Sequence, residues 1–146
     1  MRNMLVRVAL VVLAMLGAPQ GRAAAAESKV AAKKEAAVAV AKQWLAVVDE
    51  GKYAESWDGA AELFQGAVPK GQWVQQLGGS RAPLGKVLKR DLKWEAYKTR
   101  LPGAPDGEYV VIQFVTSFTN KKAAIETVTP TLETDGKWRV SGYFIK

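Results

Sequence analysis

The sequence predicts an α+β fold, with three N-terminal helices packed on a curved, mainly antiparallel four-stranded sheet. Two observations carry this prediction. Apolar residues recur at helical spacing between residues 30 and 77, and the last third of the chain has three strand-like segments separated by short turns. Helices followed by consecutive strands are typical of α+β domains in which the helices cover one face of the sheet.

The first 26 residues are expected to be a secretory signal peptide. Arg2 and Arg7 give a positive start, residues 8–18 are apolar, and small residues lead to a cleavage site near Ala26. The apolar stretch is shorter than the about 20 residues of a membrane-spanning helix, so we expect no stable membrane insertion after cleavage. Residues 27–146 then form a single domain, periplasmic or secreted.

Composition excludes several kinds of chemistry. The chain has no cysteine and no histidine, which removes thiolate nucleophiles, imidazole bases and the usual zinc sites. The signal segment contains three arginines and no acid, so its loss lowers the net charge from +7 to +4. The remaining basic residues are scattered rather than clustered, which does not favour nucleic-acid binding. We therefore expect no cofactor, no metal and no nucleic-acid partner.

Three helices are predicted in the first half of the mature chain. The first covers residues 30–50, with Ser28 as its N-cap and one apolar stripe. The second covers residues 53–64 and ends at Gly66. The third has Pro69 in its first turn and ends at the pair Gly78-Gly79, and residues 80–85 form a loop.

Four strands are predicted after the helices. Alternating residues favour a half-exposed strand within 86–100, and the later strands cover residues 109–118, 123–132 and 137–145. Apolar alternation assigns two sets to the helix side: Val110, Ile112, Phe114 and Phe118, and then Trp138, Val140 and Phe144. The opposite face also carries apolar residues, so a homodimer through this open sheet face is possible.

Four sequence blocks resemble a known family. They are Arg81–Gly85, Leu101–Tyr109, Glu126–Thr129 and Asp135–Tyr143, in this order. Together they resemble an uncharacterised exported bacterial family, the domain of unknown function 4019, over essentially all of residues 30–146. The helix-then-sheet order is also similar to the cone-shaped, cystatin-like or nuclear transport factor 2-like and SnoaL-like fold. That similarity implies a cavity between helices and sheet, and the family implies no activity.

Five residues are candidates for a ligand site. Arg81 and Arg90 could hold a carboxylate or phosphate, although exposed arginines more often pair with surface acids. Glu126 lies on the helix side of its strand, where it either acts as an acid or base or pairs with a cation at the rim. Trp57 and Trp73 could line a pocket, although aromatics at this spacing are more often core.

We therefore expect a non-enzymatic module of the bacterial envelope that binds a small apolar ligand or an envelope protein. Two alternatives remain open. One is an isomerase or hydrolase-like enzyme that uses Glu126 or Asp58 as its base. The other is a dimerising interaction or scaffold protein.

Overall fold

The computed structural model describes residues 20–146 and confirms the α+β fold class. Its helices come first and a single sheet follows. The helices are α1 (Gln20–Asp49), α2 (Tyr53–Asp58), α3 (Glu62–Ala67) and α4 (Lys70–Arg81). The strands are β1 (Val87–Lys98), β2 (Tyr109–Phe118), β3 (Lys121–Leu132) and β4 (Trp138–Ile145). Most of the predicted signal peptide, residues 1–19, lies outside the described residues.

The sheet is an antiparallel meander in the order β1-β2-β3-β4, and it is not closed into a barrel. Gly136 lies in the last turn with a φ of 81°, as expected for the Asp135-Gly136 pair. Residues of β2 alternate between buried and half-buried, and the four residues assigned to the helix side are all buried. The core therefore lies between the helices and this face of the sheet.

The predicted second helix is divided into α2 and α3. Ala61 separates them in an extended conformation, with φ −64° and ψ 151°. Its N–H donates to the carbonyl of Val140 in β4, at 2.8 Å, and the next N–H, of Glu62, donates to the Glu133 carboxylate. These contacts join residues about 70 positions or more apart in the chain, so helical periodicity alone did not indicate the break.

Two predicted helix ends were wrong. Helix α4 continues through Gly78 and Gly79 to Arg81, because Trp73, Leu77 and Arg81 form one buried face at four-residue spacing. Burial of that face offsets the cost of about 1 kcal/mol for each helical glycine. Helix α1 begins at Gln20 rather than residue 30, so Ser28 is not its N-cap.

The orientation predicted for Phe144 was also wrong. The pairing of β3 and β4 shifts between Thr129, opposite Gly142, and Pro130, opposite Val140. This is a β-bulge beside a proline, which has no N–H to donate to the ladder. Beyond the bulge Tyr143 faces the helices, whereas Phe144 is 53 % exposed on the other face.

Among residues 20–146, no helix combines the length and the apolar character needed to cross a membrane.

Candidate functional site

A network of charged side chains lies where five elements meet. Asp49 ends α1 and Arg81 ends α4, while Arg90 lies on β1, Glu126 on β3 and Tyr143 on β4. Arg81 and Glu126 are buried, and Arg90 and Tyr143 are partly buried. Arg90 is paired with the buried Thr116 of β2, which places its side chain on the helix side of the sheet. We call these residues and Thr116 the clamp network.

Glu126 is the centre of the clamp network and is fully buried. Its Oε1 accepts hydrogen bonds from Arg90 Nε at 2.8 Å and from Thr116 Oγ1 at 2.5 Å. Its Oε2 accepts one from the hydroxyl of Tyr143 at 2.5 Å and lies 3.6 Å from Arg81 Nη1. Donors of the chain itself therefore satisfy both carboxylate oxygens.

Asp49 completes the charge balance. It accepts a bidentate pair from Arg90, at 2.7 and 2.9 Å, and a further bond from Arg81 Nη2 at 2.7 Å. Two arginines thus face two carboxylates, which is the arrangement that allows charged groups to be buried. The guanidinium of Arg81 also stacks over the ring of Phe118, 4.9 Å from its centroid.

The pKa values in the network follow from these contacts. Burial raises the pKa of Asp49, but hydrogen bonds from Arg90 and Arg81 outweigh it and hold that pKa below its usual value. Burial alone would lower the pKa values of Arg81 and Arg90. Their acidic neighbours outweigh burial, so both pKa values are raised. The pKa of Tyr143 is raised, first by burial and then by the charge of Glu126. Asp49 is therefore a carboxylate, Arg81 and Arg90 are guanidinium ions and Tyr143 is a neutral phenol at neutral pH.

An apolar groove lies beside the clamp network, between α4 and β4. It has a volume of about 230 Å³. Buried Trp73 and Leu77 line it from α4, and Tyr143 connects it to Glu126. The polar residues at its rim are Gln76 and Ser80; Phe144 and Ile145 complete the lining. We call this the α4–β4 groove.

The structure brings four of the five predicted site residues to this region. Arg81 and Arg90 both contact Glu126 in the clamp network, and Trp73 lines the groove. Trp57 instead lies where α2 meets the start of α4. Its Nε1 donates to the carbonyl of Val68, and the ammonium group of Lys70 lies over its ring.

Sequence reasoning missed Asp49 and Tyr143. Asp49 lies on the polar side of the helical stripe, where nothing in the local pattern separates a paired acid from a solvated one. Regular alternation from Trp138 and Val140 puts Tyr143 on the opposite face, and the bulge in β4 reverses this. In the part of the chain that the structure describes, no group of acidic side chains is arranged to hold a metal ion.

A family model described as a protein of unknown function, DUF4019, matches residues 40–143. The chain belongs to the DUF4019 family. The match confirms the resemblance carried by the four sequence blocks, and it includes every residue of the clamp network. No curated protein and no solved structure matches the chain, so the expected similarity of this DUF4019 protein to the nuclear transport factor 2-like fold is not confirmed.

Proposed function

We propose that this DUF4019 protein is an exported, non-enzymatic binding module, and that the α4–β4 groove receives an apolar group of its ligand. The observation that carries the proposal is the groove itself: an apolar floor of Trp73, Leu77 and Tyr143 with a polar rim. Apolar concavities with a few polar groups are the usual form of ligand sites. At about 230 Å³ the groove suits one ring or one branched side chain.

The clamp network supports binding rather than catalysis. A general base must reach the proton that it removes, and Glu126 is fully buried with both oxygens occupied. Asp58, the other candidate base, is about half exposed and pairs with Lys70 at 2.8 Å on the surface. Neither carboxylate opens into a cavity within reach of an arginine or tyrosine and a substrate, which weighs against the isomerase or hydrolase-like alternative.

Indole is a suitable probe for the groove. An aromatic ring of nine heavy atoms is expected to bind with a Kd of about 1 mM, because so small a ligand gains only about 4 kcal/mol. The binding is measured by NMR titration of the backbone amides of residues 73–80 and 143–145. Ser80→Phe fills the groove from its exposed rim and should weaken binding at least about tenfold.

Gln75→Phe is the matched control for this titration. Gln75 is an exposed residue of the same helix that does not line the groove, so indole binding should change by less than about twofold. Equal weakening by both variants, or no shift at 10 mM indole (about ten times the expected Kd), would contradict the proposal.

A second candidate function is self-association through the outer sheet face, the face turned away from the helices. Trp94, Gln113, Thr127 and Phe144 form one row across all four strands, through successive pairings of neighbouring strands. Trp94 is 41 % and Phe144 53 % exposed, and Gln113 is hydrogen bonded to Thr127 between them. The row itself carries no charge and has an exposed aromatic ring at each end, and the ammonium group of Lys146 lies over the Phe144 ring, 5.3 Å from its centroid. Exposed apolar surface of this kind can serve for docking.

This row is suited to a two-fold arrangement. A two-fold axis parallel to the strands would place Trp94 of one copy over Phe144 of the other, twice in the same interface. From strand spacing and rise, the face covers about 500 Å² per copy, or about 1,000 Å² in total. That area lies at the low end of specific interfaces, so the expected dimer is weak, with a Kd in the micromolar range or above.

Sedimentation velocity over a range of concentrations tests this second candidate. Trp94→Lys should abolish the dimer, because it buries a charge opposite an aromatic ring. Leu63→Lys is the control, since Leu63 has a similar exposed fraction, 39 %, but lies on α3 in the helix layer. A wild-type chain that stays monomeric at millimolar concentration would exclude this face as a self-association surface.

A further inference from the structure

The free edge of β4 lies along the α4–β4 groove. β4 is the last strand of the sheet, and among the strands of residues 20–146 it has β3 as its one neighbour. Ile125 and Lys146 exchange two backbone hydrogen bonds, each 3.0 Å long. Because such pairs alternate along an antiparallel ladder, the backbone groups of Phe144 also point toward β3. Those of Tyr143 and Ile145 therefore point away from β3, into the space beside the groove.

The chain already pairs with the same edge of β4 a few residues earlier. The N–H of Ala61 donates to the carbonyl of Val140 at 2.8 Å, in the extended segment between α2 and α3. Beyond the bulge no segment among residues 20–146 continues this pairing, and side chains of α4 line the space instead. The edge of β4 is therefore covered by the chain itself at Val140 and is open at residues 143–145.

We infer that the occupant of the groove is an extended peptide segment of a partner protein, which adds to β4 as an antiparallel fifth strand. This inference rests on the proposed function and specifies its ligand. The peptide residue opposite Tyr143 exchanges two backbone hydrogen bonds with it, and the residue two positions earlier in the peptide does so with Ile145. Main-chain pairing at an exposed edge combined with a side-chain pocket is a general mode of peptide recognition.

The geometry also specifies one side chain of the peptide. Directly opposed residues of an antiparallel pair point to the same face of a sheet. Tyr143 points to the helix side, where its ring lies 5.3 Å from that of Trp44 and 6.5 Å from that of Trp73. The peptide residue opposite Tyr143 therefore inserts its side chain into the groove over Trp73 and Leu77, and leucine or a similar apolar residue fits there.

A peptide accounts for more of the site than a free small molecule does. The donors and acceptors of Tyr143 and Ile145 repeat at two-residue spacing, which is the spacing of an extended chain. A small apolar ligand would occupy the groove but leave these four backbone groups to water. An extended segment covers the apolar floor with one side chain and forms backbone hydrogen bonds with Tyr143 and Ile145.

A capped heptapeptide tests the inference. It has one central leucine, flanked on each side by two threonines and one lysine, so that only one side chain suits the groove. A chain of residues 20–146 is titrated with this peptide and followed by NMR. The amide signals of Tyr143 and Ile145 should shift, and these amides should become protected from hydrogen exchange. N-methylation of the leucine removes a donor that faces β4 and should weaken binding at least about tenfold.

N-methylation of a threonine next to the leucine is the matched control. That amide faces away from β4, so affinity should stay within about twofold. Equal binding of the two methylated peptides overturns the inference, since contact would then be through side chains alone. If indole binds and the heptapeptide does not, the inference is overturned and the proposed function stands. If neither probe binds, both the inference and the proposed function are overturned.

The free chain provides one more decisive outcome. Before peptide is added, the amides of Tyr143 and Ile145 should exchange at least about tenfold faster than that of Phe144, which is bonded within the ladder. Concentration-dependent protection of Tyr143 and Ile145 in the free chain would show that a second copy occupies the edge, and this result too would overturn the inference.

Discussion

Glu126 is the residue at which burial and charge are most closely balanced. Its carboxylate is fully buried yet meets two arginines, a threonine and a tyrosine, so the cost of desolvation is offset by several short contacts. Such a residue stabilises the fold only while all its partners are present. It fixes the relative positions of β1, β3 and β4, and through Arg81 also that of α4.

Glu126→Gln should therefore lower the free energy of unfolding by about 3 kcal/mol, because the two arginines would retain only Asp49 as a counter-charge. Urea denaturation followed by tryptophan fluorescence measures the change. Glu50→Gln removes an exposed acid that pairs with Lys52, and it should cost less than about 0.5 kcal/mol. A similar small loss for both variants would mean that the clamp network does not stabilise the fold.

At the scale of single elements, the first third of α1 contributes little to packing. Residues 21–29 are all exposed, and the first ion pairs from the described part of the helix to the sheet layer are those of Lys33 with Glu108 and of Lys34 with Glu95. The Glu108 carboxylate also accepts a hydrogen bond from the hydroxyl of Tyr97 at 2.7 Å. Removal of a signal peptide at Ala26 would leave these contacts intact.

A chain that begins at residue 27 should consequently keep the Tm of a chain that begins at residue 20 within about 2 °C, because residues 21–26 are all exposed. A chain that begins at residue 37 is the comparison. It lacks Lys33 and Lys34, with their contacts to Glu108 and Glu95, and should unfold at a measurably lower temperature. Differential scanning calorimetry measures both Tm values. A large decrease in the Tm of the chain that begins at residue 27 would show that residues 20–26 belong to the folded domain.

The elements also show which parts of the fold the sequence could predict. The apolar stripe of α1 and the alternation in β2 are local patterns, and the structure confirms them. The break at Ala61 and the bulge opposite Pro130 depend on contacts between distant segments, so periodicity could not indicate them. For the site, residue type pointed to Arg81 and Arg90, and strand alternation pointed to Glu126. Asp49 and Tyr143 required the tertiary arrangement.

Over the whole molecule, the clamp network connects the end of the longest helix to the sheet, so its charge state affects global stability. The pKa of Asp49 is lower in the folded chain than its ordinary value of about 3.9. The unfolded chain therefore binds a proton at this site more readily than the folded chain does. The stabilisation that results is fully present above about pH 4 and is lost as the pH falls through the lower, folded pKa.

Asp49→Asn should accordingly flatten the acid limb of the stability profile. Between pH 3 and pH 5, the free energy of unfolding rises with pH in both proteins. The slope for the variant should be smaller than that for the wild type, by up to about 1.4 kcal/mol per pH unit. Asp135→Asn is the control, because Asp135 is an exposed acid whose pKa is also lowered, by Arg139. In 0.5 M salt, where the Debye length is about 4–5 Å, the exposed pair of Asp135 and Arg139 is screened. The pairs of Asp49 with Arg81 and Arg90, whose side chains are largely buried, are screened much less. Only Asp49→Asn should then change the slope, and equal slopes for the wild type and Asp49→Asn would refute the role assigned to this carboxylate.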